Sequence, residues 1–148
     1  MESTSRELIA VSENDLPAVV RELLVFAGGR KKFALSGDLG AGKTALAKAF
    51  CHHLGVKQIV ASPTYPIVND YTFQDGAGEE QTIHHLDLYR LRNLEEAYGI
   101  GIEDYLDDDC YALIEWPELI ESLLPEDIVH IKIFILPNSS RKILFLST

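Results

Sequence analysis

Gly37-Asp38-Leu39-Gly40-Ala41-Gly42-Lys43-Thr44 matches the phosphate-binding loop pattern G-x-x-x-x-G-K-[ST] at every fixed position. The flanks fit as well. Phe33-Ala34-Leu35-Ser36 before it is a short apolar, strand-like run, and Ala45-Leu46-Ala47-Lys48-Ala49-Phe50 after it favours helix. A strand–loop–helix unit of this kind has a chemical rationale. Three glycines allow the backbone to curl with its N–H groups pointing inward at a phosphate. The helix opening near Lys43 adds the positive end of its dipole. The ammonium of Lys43 can reach the β- and γ-phosphates of a nucleotide, and the Thr44 hydroxyl can bind Mg²⁺. Residues 37–44 are therefore the expected nucleotide cradle; a plain glycine-rich turn before an ordinary helix is the bland alternative.

Outward from this unit, Ser12 to Ala27 has the spacing of an amphipathic helix, with Leu16, Val19, Val20, Leu23, Leu24 and Ala27 on one side. Pro17 argues for a start nearer Asn14, and Gly28-Gly29 ends it. The helix after Thr44 should stop at Gly55. A short strand is expected around Gln58-Ile59-Val60, then a proline-stiffened loop, Ser62-Pro63-Thr64-Tyr65-Pro66. Ile67 to Tyr71 and Thr82 to Leu88 form a hairpin around a polar turn. Asn93 to Tyr98, Ile102 to Leu106 and Glu118 to Leu124 are short helical pieces. Tyr111 to Glu115 is a buried strand, and Ile128 to Leu136 and Lys142 to Leu146 are two closing strands. The expected fold is α/β: one P-loop NTPase domain over 1–148, its central sheet mixed and partly parallel, with flanking helices and antiparallel hairpins at an edge.

A phosphate loop needs an acid on the Mg²⁺ side, at the end of a neighbouring apolar strand. Two residues qualify: Glu115 after Ala112-Leu113-Ile114, and Asp87 after Ile83-His84-His85-Leu86. Each can bind the ion, bind through water, or orient an attacking water, and the sequence does not divide those jobs. Thr64 sits where nucleotide switches carry a γ-phosphate-sensing hydroxyl. Arg90 and Arg92 are either transition-state cations or surface ion-pair partners. The five histidines read as structural, because adjacent pairs point in different directions. Asp107-Asp108-Asp109 reads as a solvated loop.

Composition narrows the class. With 47% hydrophobic and 24% charged residues the chain has enough apolar material for a core, so disorder is not expected. Thirteen Lys and Arg against 23 Asp and Glu give −10, which opposes long-range attraction to a polyanion. Cys51 and Cys110 lack metal-ligand spacing and read as buried free thiols of a reducing cytosol. No apolar run approaches the ~20 residues of a membrane span. The first residues show no basic-then-apolar leader, so a cytoplasmic location is expected.

The motifs together resemble one family. After the phosphate loop come Ser62-Pro63-Thr64-Tyr65, His85-Leu86-Asp87-Leu88-Tyr89-Arg90-Leu91, Gly101-Ile102-Glu103-Asp104-Tyr105 and Glu115-Trp116-Pro117-Glu118. In this order they resemble the bacterial threonylcarbamoyladenosine-biosynthesis ATPase family, TsaE, over nearly the whole chain. The resemblance implies an ATPase using ATP and Mg²⁺. Such a protein acts with two partners, TsaB and TsaD, and its nucleotide cycle lets the transferase complex turn over on tRNA; it touches tRNA only indirectly. Carried over, Lys43, Asp87 and Thr64 are catalytic, and Thr44, Glu115 and Asp87 face the metal. Trp116 lies beside the nucleotide, and Arg141 touches it. The competing functional classes are a small-molecule kinase, which would need a closing lid not evident here, and a nucleotide-gated binding module without turnover.

Overall fold

The computed structural model describes residues 4–63 and 67–147. Seven strands form one sheet: β1 (Thr4–Ala10), β2 (Lys32–Gly37), β3 (Val68–Gln74), β4 (Glu80–Asp87), β5 (Tyr111–Glu115), β6 (Val129–Ile135) and β7 (Arg141–Ser147). Their order is β1-β7-β6-β2-β5-β4-β3. The strand feeding the phosphate loop, β2, is central and parallel to both neighbours, β5 and β6. The next strand, β4, is parallel to β5, while β3/β4 and β6/β7/β1 are antiparallel. The sheet is mixed as expected, with antiparallel pairing at both edges rather than one.

Four α-helices flank the sheet: α1 (Leu16–Ala27), α2 (Lys43–Leu54), α3 (Leu94–Gly99) and α4 (Ile102–Asp107). The first two cover one face, where Val20, Leu23, Leu46 and Phe50 pack on Phe33, Leu35, Leu113 and Phe145. The others, with a 3-10 turn over Pro117–Leu123, cover Ala34, Leu86, Ala112 and Ile114 on the opposite face. Several helix ends have a local cause. Ser12 caps a 3-10 turn over Glu13–Asp15, and the Asp15 carboxylate accepts from the Ser12 N–H in return. The α-helix proper then starts at Leu16 with Pro17 in its first turn and stops at Gly28, φ +60°. Asn93 caps α3 by accepting from Glu96 N–H.

One sequence expectation fails and one strand goes unforeseen. Gln58-Ile59-Val60 is not a strand. Ile59 is 92% exposed, so it has no face to bury; the segment instead lies against β3 through Gln58 to Thr72 and Ala61 to the Tyr71 hydroxyl. Conversely, β1 has no counterpart in the sequence reading. It pairs with β7 along its length, yet four of its first residues are exposed and only Leu8 and Ala10 reach the core, too weak an alternation to register. The piece expected as a helix over Glu118 to Leu124 is 3-10, starting one residue earlier at Pro117. Among the described residues, no helix is long and apolar enough to cross a membrane.

Candidate functional site

The phosphate loop leaves the carboxyl end of β2 and runs into α2. Its glycines serve two different purposes. At Gly37 a Cβ would come within 2.8 Å of the Ile133 carbonyl, so the residue permits close approach of β2 to β6. Gly40 and Gly42 adopt φ of +81° and +111°, a region that other residues adopt only with strain. Gly42 caps α2 without offering a side chain, so the first N–H groups of this helix stay open for an anion. The loop is braced from behind: Arg141 Nε donates to the Ala41 carbonyl at 2.8 Å and Arg141 Nη1 to Ser139 O at 2.6 Å. Leu39, at the tip, is exposed.

Lys43 is buried and its ammonium folds back on its own loop, donating to Gly37 O at 2.6 Å and Asp38 O at 3.0 Å. It also sits 4.0 Å from the centre of the Trp116 ring. Burial lowers the Lys43 pKa, against the pull of Glu115, Asp87, Glu118 and Asp38. Trp116 reaches this place through a left-handed backbone, φ +57° and ψ +58°, directly before Pro117. A non-glycine residue held there costs of the order of 1–3 kcal/mol, a strain that clusters at functional sites. Tyr89 packs on the indole at 4.9 Å between ring centres.

The two acids occupy adjacent positions, because Asp87 of β4 is in register with Glu115 of β5. Their environments separate them. Glu115 is buried, and both its oxygens lie 3.1 Å from Thr44 Oγ1. Thr44 Oγ1 is also 3.1 Å from Ser62 Oγ. A threonine hydroxyl beside a carboxylate is a set of hard oxygen donors suited to Mg²⁺. Asp87 is not bonded to Thr44; it accepts from Tyr89 N–H at 3.1 Å. Burial, reinforced by Glu115, raises the Asp87 carboxyl above the ordinary carboxylate range, against the Tyr89 N–H.

Thr64 lies outside the described residues. Arg90 and Arg92 are exposed in the loop after β4 and make no ion pair among the described residues. Arg141 braces the loop through Ala41 and also lines a cavity of about 170 Å³. Ala41, Gly42, Ala45, Val11 and Leu16 line the same cavity.

Two readings of individual residues need correction. Asp108 does not sit in a merely solvated run: its carboxylate accepts from Lys32 Nζ at 2.7 Å and lies 2.7 Å from His84 Nε2. Burial pushes its pKa up, but the Lys32 and His84 hydrogen bonds outweigh that and hold it below the usual range. The other His84 nitrogen is 2.7 Å from Asp70. His84, Asp108 and Cys110 lie close enough to form a metal-type group, but these contacts already occupy the His84 and Asp108 donors, and burial raises the Cys110 thiol. His85, read as merely structural, is bonded to Glu115: Nε2 to Oε2 is 2.6 Å. That bond depends on strand register, which no local motif encodes.

A central parallel strand that opens through a glycine loop into a helix, with two acids ending the adjacent strands, defines the P-loop NTPase class of α/β fold. Comparison with known proteins goes further. The family described as "Threonylcarbamoyl adenosine biosynthesis protein TsaE" matches residues 10–143. The tRNA threonylcarbamoyladenosine biosynthesis protein TsaE of Bacillus subtilis is 34% identical over 135 residues, 91% of this chain and 81% of that one. The proteins of the same name from Haemophilus influenzae and Borreliella burgdorferi are 46% and 42% identical over 62% and 66% of this chain. The matches span 55% and 67% of those relatives. The crystal structure of Bacillus subtilis YdiB superposes with a TM-score of 0.72 at 26% identity, covering 99% of this chain and 88% of that one. The chain belongs to the TsaE family.

Proposed function

We propose that this protein is a Mg²⁺-dependent ATPase of tRNA threonylcarbamoyladenosine biosynthesis, and that its nucleotide cycle lets a TsaB–TsaD pair turn over. The observation that carries the ATPase reading is the junction of Lys43, Thr44 and Glu115 at the open amino end of α2. The pathway and the partners rest on family membership. Bound Mg²⁺ would neutralise charge on phosphate oxygens, with Thr44 and Glu115 as its protein-side oxygens. Lys43, now held by two carbonyls and the Trp116 ring, exchanges those contacts for phosphate. Each lost contact is replaced by a charge-assisted one. The helix N–H groups bind the same anion without reorganising. The proposed role of Asp87 is to orient and deprotonate water, supported by its lack of a bond to Thr44 and by the rise that burial gives its pKa. The cavity between Ala45, Leu16 and Arg141, apolar on most of its lining, is where the base is proposed to sit.

The site is exposed on the side of Leu39 and Tyr89, so a partner surface has water to exclude. Phosphate release by the isolated chain should be slow and should rise when TsaB and TsaD are added. The partners should also bind the ATP form better than the ADP form. Equal partner affinity with ATP, ADP and no nucleotide, together with an unchanged rate, refutes this reading. Direct transfer of phosphate to a small molecule would favour a kinase instead.

A further inference from the structure

We propose that His85 is the positioning residue that holds Glu115 in place for Mg²⁺, a role that rests on reading this site as a metal–nucleotide site. His85 lies two residues before Asp87 on β4, so both side chains leave the same face of the sheet, as does Glu115 in register on β5. The imidazole is fully buried and, among the described residues, makes one hydrogen bond, Nε2 to Glu115 Oε2 at 2.6 Å. Its other nitrogen, Nδ1, is the one buried side-chain polar atom without a partner among the described residues. An aliphatic side chain would fill this space without leaving an orphaned polar atom, so packing does not explain a histidine here. The bond to Glu115 does.

The direction of the bond follows from the acceptor. A carboxylate oxygen accepts, so the imidazole donates from Nε2. The Glu115 carboxylate is thus held from two sides, by Thr44 and by His85. The two holds differ in kind. The Thr44 hydroxyl donates to Glu115 and also contacts Ser62, and its oxygen is a proposed metal donor, so that bond changes when the metal enters. His85 is not itself a proposed metal donor; it touches the site only through Glu115. It fixes the Glu115 rotamer before, during and after binding, as outer-shell partners of metal ligands do.

The test compares the wild-type chain with His85→Leu, His85→Asn and His85→Gln. The glutamine amide can donate to Glu115 from near the Nε2 position; the shorter asparagine cannot reach. Mn²⁺ binding to each protein with ADP is read by electron paramagnetic resonance, ADP affinity is read in EDTA, and folding is read by thermal melting. His85→Leu and His85→Asn should lose about 10–100-fold in Mn²⁺ affinity. His85→Gln should recover most of it, and ADP affinity in EDTA should stay constant. If asparagine and glutamine lose Mn²⁺ alike, or neither loses it, the positioning role is overturned; this comparison holds even if the leucine variant does not fold. Failure of the wild-type chain to bind Mn²⁺ with ADP would overturn the site reading and this role together, a result visible without any variant.

Discussion

Strand β4 carries two clusters of lysine, histidine and acid, one on each face. On one face His84 bridges Asp70 and Asp108, and Asp108 also takes Lys32. On the other, His85 holds Glu115, with Thr44, Asp87 and Lys43 around it. The residue types are almost the same, but the degree of satisfaction differs. Around His84 both ring nitrogens, the Asp70 and Asp108 carboxylates and the Lys32 ammonium all have hydrogen-bond partners. Around His85, among the described residues, one nitrogen has no partner, one acid is raised by burial and the lysine has carbonyl partners but no carboxylate partner. Completed pairing holds elements together, whereas incomplete pairing leaves valences for a ligand.

The strongest way to break this contrast is Lys43→Ala. It should lower the rate of ATP hydrolysis about 10³-fold, as removal of a preorganised transition-state donor does, with little change in melting temperature. Normal hydrolysis by the purified variant would show that the open cluster is not the active one.

Asp87→Asn sharpens the contrast. Turnover should fall about 10²-fold, with ATP affinity much less affected. Stability should move the other way. The folded-state pKa of Asp87 lies above its unfolded value, so its contribution favours folding only at low pH and is lost as pH rises through the raised value. At neutral pH the wild-type chain carries that penalty and the asparagine variant does not, so the variant should melt higher. A lower melting temperature at pH 7 would contradict the raised pKa.

Much of the open cluster can be read from sequence, because its parts have local signatures. Glycine spacing marks residues 37–44, and apolar runs ending in an acid mark Asp87 and Glu115. The closed cluster is invisible by the same method. Lys32, Asp70, His84 and Asp108 lie in four separate segments and meet through the pairing of β2, β5, β4 and β3 and the return of the chain after α4. The role of His85 was hidden for the same reason, since its partner is set by the parallel register of β4 and β5. Strand β1 escaped because one strand of a sheet edge buries too few side chains to leave a pattern.

The smallest expected effect belongs to the closed cluster. Asp108→Asn should cost about 1 kcal/mol at neutral pH, a charged hydrogen-bond value reduced for a side chain about one-third exposed to water. Because the folded pKa of Asp108 is depressed, this contribution is present above the unfolded carboxylate value and lost as pH falls through the folded one. Melting curves of the two proteins should therefore converge in acid, while ATP hydrolysis at neutral pH stays near normal. Parallel curves down to the lowest pH would remove the electrostatic explanation.

The central place of β2 has a consequence for how the chain comes to be folded. Phe33 finds its two neighbours at Leu113 and Val129, near the far end of the sequence, while Thr4 pairs with Ser147. During synthesis the phosphate loop emerges before β5 and β6, so its strand waits for both before either side is covered. Until then β2 is an apolar strand with both backbone edges open, which invites pairing with other chains. The hairpin of β3 and β4 and the helices α1 and α2 can form early from local contacts, but the sheet closes late, after long loops have been drawn together.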